Sequence, residues 1–279
     1  MLRVLDLFSG IGGFSLGLER TGGFETVAFC EIDPFCRRVL AKHWPEVKQY
    51  EDVRTLTART LQRDGIGVDV ICGGFPCQDI SIVGLGAGLN GDRSGLWSEL
   101  RRLIREVRPR YAIVENVAAL LTGPPERPGA WFGRVLGDLA EIRYDVEWHS
   151  IPAAAVDAPH ERDRVFLVAQ PQGNGRGAWR PRRPPASRPR KPITFGPLSY
   201  SDAHSIAPIG SAISRQKLSA WDDEPALDRV VDGLPYRMVE DELRALGNAV
   251  VPAVATLIGN GLKSASGTLN TNGESNGDA

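Results

Sequence analysis

The chain has 279 residues, 42% of them apolar and 24% charged, with 33 Lys and Arg against 34 Asp and Glu. That length suits one large domain, or one domain with a small appendage, and the apolar content excludes a mostly disordered chain. No apolar run approaches the ~18 residues of a membrane span, and Met1-Leu2-Arg3-Val4-Leu5-Asp6 meets charge too early for a signal peptide. A cytoplasmic protein without membrane contact is therefore expected. The net charge of −1 speaks, at face value, against a nucleic-acid partner.

In chain order, residues 2–8 read as a strand, followed by a Gly-rich turn and a helix over 14–20. Residues 25–31 form a second strand and 34–43 a helix; 68–72 is a short apolar strand ending in Gly73-Gly74. Residues 96–107 carry apolar side chains at 96, 100, 103, 104 and 107, the stripe of an amphipathic helix. Strand 111–114, helix 131–142 and strand 165–169 follow, and one final helix is expected over 243–262. Such alternation implies an α/β fold with a doubly wound, largely parallel sheet. Ligands of these sheets bind beyond the carboxyl ends of the strands. Residues 171–197 hold 7 of the 20 prolines and cannot continue the sheet. The Ser/Asn/Gly/Thr-rich end, 264–279, reads as a disordered tail.

Cys30, Cys36, Cys72 and Cys77 are the four cysteines, all in the first 80 residues. With no Cys-x-x-Cys pair and no zinc-like His spacing, they read as reduced thiols, and no metal site is expected.

The loop after the first strand is Asp6-Leu7-Phe8-Ser9-Gly10-Ile11-Gly12-Gly13-Phe14. Its glycines let backbone approach a ligand closely. Gly10 and Gly12 fit a dinucleotide fingerprint, but its third glycine is replaced by Ser15. Glu31 ends the second strand, where a carboxylate accepts from ribose hydroxyls, and Asp52 follows a third strand near where an adenine amino group would lie. These residues describe an adenosine-containing cofactor without separating NAD from S-adenosylmethionine.

Cys77 stands in Gly73-Gly74-Phe75-Pro76-Cys77-Gln78, just past a strand's carboxyl end, with Pro76 stiffening the approach. Behind it, 79–95 is punctuated by Gly84, Gly86, Gly88, Gly91 and Gly95, as a closing lid would be. A thiol so placed reads as a nucleophile.

With these residues in view, the chain resembles the DNA (cytosine-5)-methyltransferases. The resemblance rests on the 6–14 glycine loop, Phe75-Pro76-Cys77-Gln78, Glu115-Asn116-Val117, Arg162-Asp163-Arg164-Val165-Phe166 and Gly247-Asn248-Ala249-Val250-Val251-Pro252, in the family's order. It implies a Rossmann-like S-adenosylmethionine-dependent methyltransferase fold with a small target-recognition domain. The implied divisions are a catalytic domain over 1–169, a target-recognition region over 170–239 and a returning helix over 240–263. By resemblance Cys77 is the nucleophile, Glu115 holds the N3/N4 edge of cytosine, Arg164 contacts O2 and Arg162 supports the site. The cofactor pocket would comprise Phe8, Gly10, Ile11, Gly13, Glu31, Ile32, Asp52, Pro76, Leu96, Asn248 and Val250. Duplex DNA is the implied partner of a monomeric enzyme, with a cognate restriction endonuclease as a further one. The family's Pro-Gln before the Arg-x-Arg segment is here Pro159-His160, and the motif before the last helix has only Asp228–Pro235 to occupy its place. A tRNA cytosine-5 methyltransferase on the same scaffold and a non-catalytic DNA-binding relative remain as alternatives. An NAD oxidoreductase leaves Cys77 unexplained.

The charge is unevenly spread along this chain. Residues 164–201 contain eight basic residues and no acidic one, which leaves 25 basic against 34 acidic residues elsewhere, a balance of −9. A run of this kind beside a base-flipping domain is suited to phosphates.

Overall fold

The computed structural model describes residues 1–76, 95–173 and 236–267, all within one compact unit formed by Met1–Arg180 and Pro235–Ala279. Cys77, the glycine-punctuated loop behind it, the basic proline-rich stretch from 174 and the tail beyond 267 lie outside the described residues.

Among the described residues seven strands, β1 (Leu2–Leu7), β2 (Phe24–Cys30), β3 (Lys48–Tyr50), β4 (Val70–Gly74), β5 (Tyr111–Val117), β6 (Tyr144–Ile151) and β7 (Arg164–Pro171), form one sheet in the order β3-β2-β1-β4-β5-β7-β6. β3 to β5 are parallel, whereas β7 runs antiparallel to both β5 and β6. The direction of winding reverses between β1 and β4, so their carboxyl ends flank the crevice where ligands bind in doubly wound sheets. The antiparallel β7 has a second effect. It carries its own amino end to the same edge, with Arg164 opposite Val117 at the end of β5.

Eight helices cover the described part of the sheet: α1 (Gly13–Glu19), α2 (Pro34–His43), α3 (Ala58–Arg63), α4 (Leu96–Val107), α5 (Ala119–Thr122), α6 (Ala130–Glu141), α7 (Tyr236–Asn248) and α8 (Pro252–Gly267). Leu5, Leu7, Ile71, Ala112, Val114 and Leu167 face one core with Leu100, Leu103 and Ile104 of α4 and Val135 and Leu139 of α6. Alternate residues, Val4, Val70, Cys72, Ile113, Phe166 and Val168, face the other core with Phe14 and Leu18 of α1 and Val254, Ala255, Ile258 and Leu262 of α8. Alternation of period two thus sends each strand to both cores. The four α8 side chains are 0–2% exposed. Burial of each large one contributes ~1.5–3 kcal/mol.

Two expectations need correction. The final helix is two helices, because Pro252 has no N–H to continue a helix and biases Val251 away from helical backbone, so α7 ends at Asn248 and α8 begins at Pro252. The sheet also has an unforeseen strand, β6, whose half-exposed, polar-rich Tyr144-Asp145-Val146-Glu147-Trp148-His149-Ser150-Ile151 is what an edge position permits. By composition the stretch Arg244–Ala265, of mean hydropathy 1.4, is apolar enough to cross a bilayer. Its apolar face is instead packed on α1 and the sheet.

Candidate active site

The two-residue face shared by β5 and β7 makes the central feature. Glu115 lies opposite Phe166, and Val117 opposite Arg164, so Glu115 and Arg164 are diagonal neighbours on one face. Arg164 Nε stands 3.1 Å from Glu115 Oε1. β5 runs on to Val117, so Glu115 sits within the strand rather than after it. Its backbone is fixed by the ladder. Around the pair, Ile151, Ala153, Phe166, Val250, Val251 and Val254 form an apolar wall, with Arg162 on the rim of the same pocket. Burial raises the Glu115 pKa above the ordinary carboxylate value, and the nearby Arg164 and Arg162 oppose that rise. The carboxyl is therefore biased toward holding a proton. Burial, then the like charge of Arg164, lowers the Arg162 pKa.

The backbone leading to Cys77 is gripped on both sides. A Cβ on Gly73 would lie 2.5 Å from the Leu7 carbonyl oxygen, and one on Gly74 would lie 2.5 Å from Glu115 Oε2. A side chain on Gly73 would strike the backbone of β1, and one on Gly74 would displace the Glu115 carboxylate. Asn116, 2% exposed, donates from Nδ2 to the Phe75 carbonyl at 2.8 Å, while its Oδ1 accepts from Val117 N at 2.9 Å. The Phe75 ring packs at 5.1 Å on Trp97, whose indole N–H donates to the buried Asp138 at 2.9 Å. Pro76 follows, exposed, at the same sheet edge as Glu115.

The glycine loop completes the edge. Phe8 and Gly10 have φ of +51° and +54°, and nothing lies within 4 Å of where a Gly10 Cβ would be. The Gly10 N–H donates to Glu31 Oε2 at 2.7 Å and the Asp33 N–H to Oε1 at 2.8 Å. The Glu31 carboxylate is thereby aimed, with lone pairs left for hydroxyl donors. Ile32, 59% exposed, offers an apolar face beside it. Open space over a left-handed glycine, a fixed carboxylate and an exposed aliphatic fit an adenosine moiety. Asp52 fits less simply, since both its oxygens accept from Arg54, at 2.8 to 3.0 Å. Ile11 is half-buried in the loop, Leu96 opens α4 against the first core, and Asn248 is exposed at the end of α7. Gly13 and Val250 touch, because a Gly13 Cβ would fall 2.2 Å from the Val250 carbonyl oxygen.

A family model for the C-5 cytosine-specific DNA methylases matches residues 2–194. The chain belongs to that family. Among curated methylase relatives, the Type II methyltransferase M2.BsuMI of Bacillus subtilis is 36% identical over 172 residues, which are 60% of this chain and 42% of that protein. The Type II methyltransferase M.AquIA of Picosynechococcus is 28% identical over 70% of this chain and 82% of its own length. A solved protein assigned as a DNA modification methyltransferase, encoded within an E. coli prophage, aligns with a TM-score of 0.50 and 28% identity over 61% of this chain and 47% of that one. Spodoptera frugiperda DNMT2, at TM-score 0.52 and 21% identity over 72% of this chain and 56% of its own, shares the Rossmann-like methyltransferase fold. The match to M2.BsuMI spans less than half of that relative's length.

The methylase fold thus gathers Glu115, Arg162, Arg164 and Val250 in one pocket, and joins Gly10 to Glu31 by a hydrogen bond. Cys77 lies outside the described residues. Cys30, Cys36 and Cys72 are buried free thiols, the first two with pKa pushed up to about 12 by burial, which suits packing and not nucleophilic attack. His160 is exposed. Sequence reasoning missed Asn116, although its place in Glu115-Asn116-Val117 was in plain view; strand alternation sends it to the face opposite Glu115. It also missed Asp6, whose buried carboxyl accepts from Ser15 Oγ at 2.7 Å beneath the glycine loop.

Proposed function

We propose that this chain is a DNA (cytosine-5)-methyltransferase that uses S-adenosylmethionine to methylate C5 of a cytosine flipped out of duplex DNA. The observation that carries the reading is the half-buried Glu115–Arg164 pair at the carboxyl edge of the sheet, one strand away from Gly74-Phe75-Pro76 and the Cys77 that follows. S-adenosylmethionine, when bound, supplies an electrophilic methyl group. Cytosine C5 is a poor nucleophile and must be activated to receive it. The Cys77 thiolate adds to C6, and Glu115, whose burial favours the protonated form, donates to N3 as the adduct forms. C5 is then enamine-like and takes the methyl. Loss of the C5 proton, elimination of the Cys77 thiolate and return of the N3 proton to Glu115 restore the aromatic ring. Arg164 faces O2, where negative charge develops. Flipping the base costs about a few kcal/mol, which the pocket must return.

Glu31 would hold the ribose hydroxyls, Ile32 and Asp52 the adenine, and Phe8, Gly10, Ile11, Gly13, Pro76, Leu96, Asn248 and Val250 the remaining wall. Residues 1–169 serve as the catalytic domain and 170–239, with their basic run, as the DNA-reading element. The same proposal takes the enzyme as a cytoplasmic monomer, and the designation of its relatives as Type II methyltransferases is the ground for adding a cognate restriction endonuclease to it.

The test is incubation of the full chain with labelled S-adenosylmethionine and either duplex DNA or tRNA, with bisulfite mapping of the product. Label at C5 in DNA is expected; label in tRNA alone, or in neither, overturns the reading. DNA carrying 5-fluorocytosine at the mapped site should trap a covalent complex that Cys77→Ser abolishes. An adduct that persists in that variant removes Cys77 from its role.

A further inference from the structure

We infer that Arg162 is a positioning residue: it fastens the segment 247–250, a wall shared by the cofactor crevice and the Glu115 pocket, so that both sites depend on a residue that need touch neither ligand. The assignment to cofactor and base rests on the function proposed above; the fastening itself rests on geometry alone.

Three observations carry it. The Nη2 of Arg162 donates to the Gly247 carbonyl at 2.6 Å and to the Ala249 carbonyl at 2.8 Å, contacts that span more than eighty positions of sequence. These carbonyls lie at and just past the end of α7, where helix geometry leaves acceptors without intrahelical partners. A guanidinium there satisfies them and opposes the negative end of the helix dipole. Second, Arg162 has φ of +38°, a backbone state that a side chain of this kind adopts only when its surroundings fix it. The chain bends unfavourably at the point where the side chain must reach the carbonyls. Third, the fastened segment faces two ways. The Val250 carbonyl fills the space against Gly13 of the glycine loop, while Val250 and Val251 line the pocket of Glu115 and Arg164. A second tie, from Arg244 Nη2 to Asp33 Oδ2 at 2.8 Å, holds α7 to the loop that carries Glu31 and Ile32. Without Arg162, the segment between Arg244 and the buried Val254 would lose the hydrogen bonds that hold its carbonyls inward, keeping only its apolar contacts. Arg164 differs: its Nε stands against Glu115 and its Nη1 donates to the Asp163 carbonyl.

The experiment uses the full-length chain as Arg162→Met, Arg162→Lys and Arg164→Met. Dissociation constants for S-adenosylmethionine are measured by calorimetry with no DNA present, and amide hydrogen exchange is followed well below the melting temperature. Arg162→Met should weaken cofactor binding by about ten- to a hundredfold, the scale of one or two charge-assisted hydrogen bonds, with Arg162→Lys recovering most of it. Arg164→Met should leave cofactor affinity within about twofold. Amides of 247–251 should exchange faster in Arg162→Met while those of β1, β4 and β5 keep their protection. Unchanged exchange at 247–251 overturns the inference whether or not the wild type binds the cofactor. Faster exchange with unchanged cofactor affinity overturns its coupling to the crevice. Wild-type protein that binds no S-adenosylmethionine counts against the proposed function, and the exchange result then decides the fastening by itself.

Discussion

At the scale of single residues, two carboxyls, Glu115 half-buried and Asp6 fully buried, do different work. Glu115 lies against Arg164, and burial still outweighs that attraction in raising its pKa. As an acid it loses effect when pH rises through the raised value, so kcat should fall on the alkaline side. Glu115→Gln keeps the shape and removes the proton, and should cost roughly 10²–10⁴ in kcat, with the alkaline limb displaced in a rate–pH profile. Asp6 is 1% exposed, and burial raises its pKa to about 7 from 3.8. The folded state then holds a proton that the unfolded chain releases above 3.8. Asp6 therefore lowers stability progressively as pH rises from about 4 to 7, and no further beyond. Denaturant unfolding across that window should show the decline in wild type and a flatter line in Asp6→Asn. A decline of equal slope in both would assign it to other groups. Much at this scale was legible. Glu31 and Arg164 stand at the strand ends where they were expected, Glu115 lies inside β5 rather than after it, and the structure supplies the pairing and the backbone donors. Asp52 is the exception, since its bidentate pairing with Arg54 depends on a side-chain conformation that no spacing reveals.

At the scale of elements, helix α4 was readable to the residue because its stripe is long and regular. Strand β6 was not, because an edge strand with alternating exposure resembles a polar loop. The antiparallel turn of β7 was equally hidden, yet it is what brings Arg164 to Glu115. The contact of α1 with α8 yields a sharp contrast between glycines. A Cβ on Gly17 would fall 2.2 Å from the Pro252 carbonyl oxygen, so Gly17→Ala must push two backbones apart. Roughly 1–3 kcal/mol should be lost, visible as a lower Tm. Gly10→Ala meets no atom and costs only the left-handed backbone at φ +54°, about 1 kcal/mol. Its methyl would enter the space assigned to the cofactor. Calorimetry should therefore find Gly10→Ala impaired in binding out of proportion to its Tm, and Gly17→Ala the reverse.

At the scale of the whole molecule, charge is segregated along the chain. The eight basic residues between 164 and 201 offset a balance of −9 elsewhere. If they meet phosphates, affinity for duplex DNA should fall linearly in log–log form with salt. Replacing Arg182, Arg183, Arg188 and Arg190 by Gln should reduce that slope by about 0.9 for each phosphate that is no longer neutralised. An unchanged slope would mark the run as a linker. Net charge could not reveal this, since an average over 279 residues cancels two opposed regions.

The docking of α8 has a consequence for gene order. Its Lys263 donates to the Thr21 carbonyl and packs on Gly23, whose own carbonyl accepts from Leu2 N at 2.8 Å. The far end of α8 and the first strand thus meet at one corner of the fold. A short bridge from there to Leu2, with new termini opened among residues 181–234, would let α7 and α8 be translated ahead of β1. Such a circular permutant should keep the same sheet, the same two cores and the same crevice.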